Sequence, residues 1–199
     1  MIRTFDLKIN YNPIQIIGDK VYKICWDKAD MQDSIYAELT PEEQAKEDSG
    51  EYVERTIIGY KDTNYCMFMM EYLYGDITIN DIKNLIINWY DAEIKNKIIT
   101  GMKYEGNNVY LSSENQHNFS DMQRIVNEDS SNLPITTKIG EIDNTHPIYY
   151  TFNTVEEVNE FCNAIYNYIT QCRQEGWQKK DNIDWSEYEK ALKEDNTKE

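Results

Sequence analysis

The sequence predicts an α+β fold. A β-rich N-terminal part covers residues 1–75, and a helix–β-hairpin–helix–β-hairpin–helix part covers residues 76–199. Three observations predict it. Up to residue 75 the apolar residues alternate or fall in short β-branched runs, as in strands with one buried face. Two later segments, near 80–96 and 154–175, place apolar residues at helical spacing. Between those segments, clusters of Gly, Asn and Asp interrupt short β-forming runs, as hairpin turns do.

In the first part, IRTFDLKINY carries Ile2, Phe5, Leu7, Ile9 and Tyr11 in imperfect alternation and reads as a strand. IQIIGDKVYKICW has two β-branched runs around Gly18-Asp19, which suits a tight hairpin turn. SIYAEL adds a further strand. In TPEEQAKEDSGE, Thr40 can cap a helix, Pro41 fits its first position, and Glu42 and Glu43 favour its positive end; a short exposed helix or an acidic loop follows. YVERTIIGY and NYCMFMMEYLYG then read as two strands, the methionines as core filler.

The second part opens with a helix capped at Asn80, its apolar face formed by Ile82, Leu85, Ile86, Trp89 and Tyr90 and its end near Ile94 or Ile98. ITGMKYEGNNVYLSS reads as a hairpin turning at Gly106-Asn107-Asn108, with Met102, Tyr104, Val109 and Leu111 sharing a buried face. The polar run SSENQHN leads into a short helix on Phe119, Met122, Ile125 and Val126, capped at Asn118 or Ser120. LPITTKIGEIDNTHPIYYTF reads as a second hairpin, turning over residues 143–147. Thr154 and Glu157 form a capping box for a long helix with the stripe Val155, Val158, Phe161, Cys162, Ile165, Ile169 and Cys172. Gly176 stops it and Trp177 packs back. Asp184 and Glu187 start a last helix with Trp185, Tyr188 and Leu192 on its apolar face.

A chain of 199 residues with 40% hydrophobic and 13% aromatic residues is long and apolar enough to bury a core. Its net charge of −16 predicts that it repels nucleic acid and anionic membranes. The acidity serves solubility, or it marks a surface that docks on a basic partner or imitates DNA. The cysteines, Cys25, Cys66, Cys162 and Cys172, include no C-x-x-C pair, and the two histidines, His117 and His146, are too far apart for a helical pair, so no structural metal is expected. Cys162 and Cys172 would stand about 15 Å apart on one helix, too far for a disulfide, which favours free thiols in a reducing compartment. The N-terminus lacks the apolar stretch of a signal peptide, and no run is long enough to span a membrane.

Phosphate-binding glycine motifs and a nucleophile elbow are missing from the sequence, and no cofactor is expected. His117 lies near Glu114 and Asp121, as a general base beside a carboxylate would, but a solvated turn histidine accounts for it as well. The aromatics Tyr149, Tyr150, Phe152, Tyr166 and Tyr168 fit core or interface roles; base-stacking platforms come with basic grooves, which this composition does not provide. The candidate contact residues are Asn107, Asn108, Glu114, Asn115 and Gln116, the hairpin turn and its polar continuation, set against the plainer reading of turn plus helix cap.

The segment DIKNLIINWYDAEIKNKIITGMKYEGNNVYLSSENQHNFSDM, with Tyr104, Gly106, Val109 and Leu111 in its hairpin, and the later FNTVEEVNEFCNAIYNYITQCRQEG resemble a family of phage and prophage proteins, a domain of unknown function numbered four-three-seven-six. The resemblance covers residues 80–177 and leaves the N-terminal third without a counterpart. It implies a setting among tail-fibre and tail-assembly genes, and a location in the virion or in the host cytoplasm during assembly. The expected function is therefore non-enzymatic: a phage structural or tail-fibre-associated protein that binds other virion proteins, finishing its core as a homo-oligomer. The alternatives are a tail-fibre assembly chaperone, an acidic phage effector that inhibits a host defence protein, and a glycan-cleaving enzyme with two facing carboxylates.

Overall fold

The computed structural model of the chain describes residues 2–7, 11–142 and 146–195. The fold is α+β, with strands leading and helices following, and every strand pair is antiparallel. Two compact units are formed, one from Met1–Ile82 with Asp184–Glu199 and the other from Lys83–Ile183. Against the sequence boundary at 75/76, the start of the first long helix and the whole last helix group with the N-terminal strands.

In the first unit, β1 (Ile2–Leu7), β2 (Ile14–Gly18), β3 (Val21–Tyr36) and β4 (Ile57–Tyr74) make one sheet in the order β1-β4-β3-β2. The two strands read separately as YVERTIIGY and NYCMFMMEYLYG are one continuous β4, and SIYAEL is the end of β3. Polar residues 61–64 had looked like a break, but β3 supplies partners across them, pairing Asp33 with Lys61 and Gln32 with Asp62. The β2–β3 turn is Asp19-Lys20, one residue later than expected, with Gly18 paired to Val21 and Lys20 at φ +52°. Cys25, Cys66 and Phe68 are buried together, with Tyr11 and Met70 packed on them. The helix α1 (Pro41–Asp48) joins β3 to β4; Thr40 caps it as the sequence predicts, and Glu43, expected only to favour the helix's positive end, completes a reciprocal capping box. The last helix, α5 (Trp185–Asp195), lies against β2 and buries Tyr188, whose hydroxyl donates to the Cys25 carbonyl at 2.7 Å.

The second unit takes most of α2 (Ile79–Thr100). That helix starts one turn-edge before the predicted cap: Thr78 and Asp81 cap each other reciprocally, and Asn80 lies inside the helix. The unit continues with β5 (Met102–Tyr104), β6 (Asn107–Val109), α3 (Ser113–Glu128), β7 (Ile135–Glu141), β8 (Pro147–Phe152) and α4 (Val155–Asp181). The β5–β6 turn is Glu105-Gly106, at φ +47° and +77°, so Asn107 and Asn108 are strand residues and not the turn. Of the second hairpin's turn, residues 143–145 lie outside the described residues.

The core of this unit gathers the α4 stripe. Val158, Phe161, Ile165 and Cys172 are buried with Phe119, Met122, Val126, Ile139 and Phe152. Gly176 does not stop α4, which runs on to Asp181. A Cβ there would lie 2.2 Å from the Ile94 side chain, so the glycine serves the close crossing of α2 and α4. Lys97–Glu175 and Lys180–Asp91 ion pairs flank that crossing, and the Lys97 salt bridge holds the Glu175 carboxyl below its ordinary range. Trp177, expected to pack back, is 52% exposed.

Candidate functional site

The polar run after β6 is the first half of a helix. Ser112 caps α3, accepting from the Asn115 N–H at 3.1 Å. The predicted caps Asn118 and Ser120 lie one to two turns inside the helix. Asn115 and Gln116 then turn back on the preceding strand: Asn115 Nδ2 donates to the Tyr110 carbonyl at 2.9 Å and Gln116 Nε2 to the Leu111 carbonyl at 2.7 Å. Those two carbonyls have left the hairpin ladder, and burying them without donors would carry the cost of an unmade hydrogen bond. This is why amides, and not apolar residues, stand at 115 and 116. Ser112→Ala should cost about 1 kcal/mol, the usual worth of an N-cap; urea unfolding with no measurable loss would mean that α3 does not start there.

The geometry divides the five candidate residues. Asn108, Glu114 and Asn115 line one open groove of about 830 Å³, together with Lys103, Tyr110 and Lys138. Gln116 lines a separate, smaller concavity beside Trp177 and Arg173. Asn107 lines neither; its side chain donates to the Glu105 carbonyl at 3.3 Å, and it serves the turn. The groove exists because β6 runs beside β7. The Tyr110 N–H donates to the Ile139 carbonyl at 3.0 Å, and Gly140 lets the Asn108 carbonyl come within 2.0 Å of where a Cβ would be. Sequence reading missed Lys103 and Tyr110, which sit beside Asn108 on the same hairpin, and Lys138, whose approach to β6 from some 30 residues away leaves no local signal. Within the groove Lys138 is ion-paired to Glu141. Amides, a phenol and balanced charges suit hydrogen bonding to a polar surface.

No feature of this wall resembles a nucleophile with its base. His117 stands 3.6 Å from Asp121, and its side chain is 81% exposed, as for a surface pair one helical turn apart. Burial pushes the Cys162 thiol up to about 11, so it is not a thiolate at neutral pH. In the first unit, a concavity beside Tyr11, Lys28 and Glu187 contains a phenol that burial, and then the neighbouring Cys25, raise to about 12. Tyr11 therefore remains a hydrogen-bond donor, to the Cys25 carbonyl at 3.4 Å. Among the described residues no three His, Cys, Asp or Glu side chains converge as metal ligands would, and no helix is long and apolar enough to cross a membrane.

The most unusual surface lies elsewhere, on the first unit. From Asp27 to Tyr65 no residue is buried. Past the four-stranded part, β3 and β4 continue as a two-stranded ribbon from Gln32–Tyr36 to Ile57–Asp62, about 15 Å long at the usual rise per residue. α1 closes its tip and buries nothing. Tyr60 stands opposite Ser34, and Ile58, two residues along β4, shares its face; past a register shift Tyr36 pairs with Ile57. Ile58 is 65% exposed and Tyr60 63%, while Tyr52, in the loop after α1, is 90% exposed. The ribbon is tied at its end by the Ala37 N–H to the Thr56 carbonyl and by Arg55 to Glu47. The sequence signal was present in Ile35, Tyr36, Ile57, Ile58 and Tyr60, but alternation alone cannot say that no layer covers them.

Together the fold and these surfaces define an α+β protein with a polar groove on one unit and an uncovered β-arm on the other. No family model matches the chain, and neither a curated protein nor a solved structure matches it.

Proposed function

We propose that the protein is a non-enzymatic binding protein of a phage particle, a structural or tail-fibre-associated component that holds another virion protein. The observation that supports binding is the arm: 39 residues with none buried, yet with Ile and Tyr side chains along one face. A two-stranded ribbon is only marginally stable alone in water. Exposed contiguous apolar surface on a folded protein marks an interaction site, and Tyr is enriched at such sites. The phage setting rests on the resemblance of residues 80–177 to the phage and prophage family, and a homo-oligomer belongs to the same proposal. The net charge of −16 favours one second reading, an acidic effector acting on a host protein or an assembly chaperone that leaves the particle.

Quantitative mass spectrometry of purified particles beside the infected-cell lysate separates these. A fixed copy number per particle is the expected result. Abundance in the lysate with absence from particles would remove the virion reading and leave the chaperone and effector.

A further inference from the structure

We infer that the β3–β4 arm docks on a partner protein of the opposite character, an apolar strip bordered by Lys and Arg, and not on a second copy of this chain. The inference rests on the reading of the chain as a binding protein and names the partner of that surface. Three observations carry it.

The first is charge. Residues 27–65 hold eleven carboxylates against four Lys and Arg, a net −7 out of the whole chain's −16. Two arms brought face to face would set −7 against −7, and like charges juxtaposed at an interface are strongly unfavourable. Of the four cations, Arg55 is held by Glu47, Lys28 lies 4.0 Å from Asp30, Lys61 stands across the ladder from Asp33, and Lys46 sits in the last turn of α1, a helix that also carries Glu42, Glu43 and Glu47. Complementarity therefore requires cations from outside.

The second is the face. Ile58 and Tyr60 are exposed two residues apart on one side of β4, and at the ribbon's end the exposed Tyr36, paired with Ile57 across a register shift, carries Arg55 over its ring at 6.0 Å. On the other side Ile35 lies across Gly59, where a Cβ would meet its Cδ1 at 3.8 Å, so part of that side covers itself. The Tyr–Ile strip is left for a partner, with tyrosine rings that suit apolar contact and cation–π contact with Lys or Arg alike.

The third is the edge. An exposed two-stranded ribbon invites strand addition, by which copies of a chain pair edge to edge. This ribbon resists it. Its register shifts between Ile35 and Tyr36 and, at its base, between Asp30 and Gln32; before it, β3 shifts again between Trp26 and Ala29, where Asp27 sits at φ +54°. Bulges twist an edge and interrupt its hydrogen-bonding row. Recognition then falls to the side chains of the face, where the charge argument selects the partner.

The test is site-specific photo-crosslinking in the full chain, made in the cells and particles that contain it. Benzoylphenylalanine replaces Ile58 or Tyr60, with Tyr166 on α4 as an exposed control position. The expected result is a cross-link from both arm positions to a different protein, through a peptide of net positive charge. Its yield should fall at least about fivefold from 0.1 to 0.5 M salt, as screening of complementary charge predicts. It should fall comparably when Tyr36→Thr is combined with the probe at Tyr60, a change that keeps strand propensity and is checked by circular dichroism. Cross-links to a second copy of the chain overturn the inference. So does a partner peptide that is neutral or acidic, a yield indifferent to salt, or a yield no higher than at Tyr166. A basic host protein as the partner supports the inference and at the same time counts against the virion reading, so the two fail separately.

Discussion

Phe161→Ala should destabilise the second unit by about 3–5 kcal/mol, the range for emptying a large aromatic site in a packed core. Phe161 is fully buried, with the rings of Tyr104, Phe119 and Phe152 at 4.9, 5.1 and 5.1 Å between centroids. Those three rings come from β5, α3 and β8, so one α4 side chain is the point where two hairpins and two helices meet. Aromatic contacts add to the area term, and three, two edge-on and one tilted, are lost together. The measurement is urea unfolding followed by near-ultraviolet circular dichroism, read for two transitions because the chain has two compact units. A loss below about 1 kcal/mol, the cost of an ordinary surface change, would show that α4 does not pack on these hairpins as described.

Gly101→Ala should be comparably damaging, at about 3 kcal/mol or more, from two penalties at one position. Gly101 has φ +85°, in the region that costs an L-residue about 1–2 kcal/mol. A Cβ there would also lie 1.7 Å from the Val109 carbonyl oxygen, a backbone atom with no rotamer to escape through. Relieving the clash means moving β6 away from the end of α2, where the Leu111 N–H donates to the Ile99 carbonyl at 3.2 Å. Gly106→Ala is the matched control, because Gly106 has φ +77° with nothing within 4 Å of its Cβ position. It should lose only the conformational term, about 1–2 kcal/mol. Equal losses at the two sites would mean that the close approach at Gly101 is not real.

The candidate residues show what a local reading can reach. Asn108, Glu114 and Asn115 were legible as a polar surface and do share a groove. Lys138 was not, because it joins the groove only where β7 runs beside the end of β6. Asn107, Asn115 and Gln116 share that polarity, and each donates a side-chain hydrogen bond to a backbone carbonyl, Asn115 while also lining the groove. Polarity in a turn therefore does not by itself separate contact from capping.

The sequence by itself determined the features closed within one helical turn or one strand period. The Thr40 cap, the Thr154 cap and the apolar stripe of α4 have partners three or four residues away, so composition and spacing suffice. Only the tertiary structure decided the rest. Residues 57–74 became one strand because β3 supplied partners across their polar middle. Gly176 became a crossing point and not a stop because Ile94, eighty-two residues earlier, packs on it. The uncovered arm was decided in the same way. Whether an apolar face is core or binding surface depends on which other element lies over it, and that is a property of distant residues that no local pattern contains.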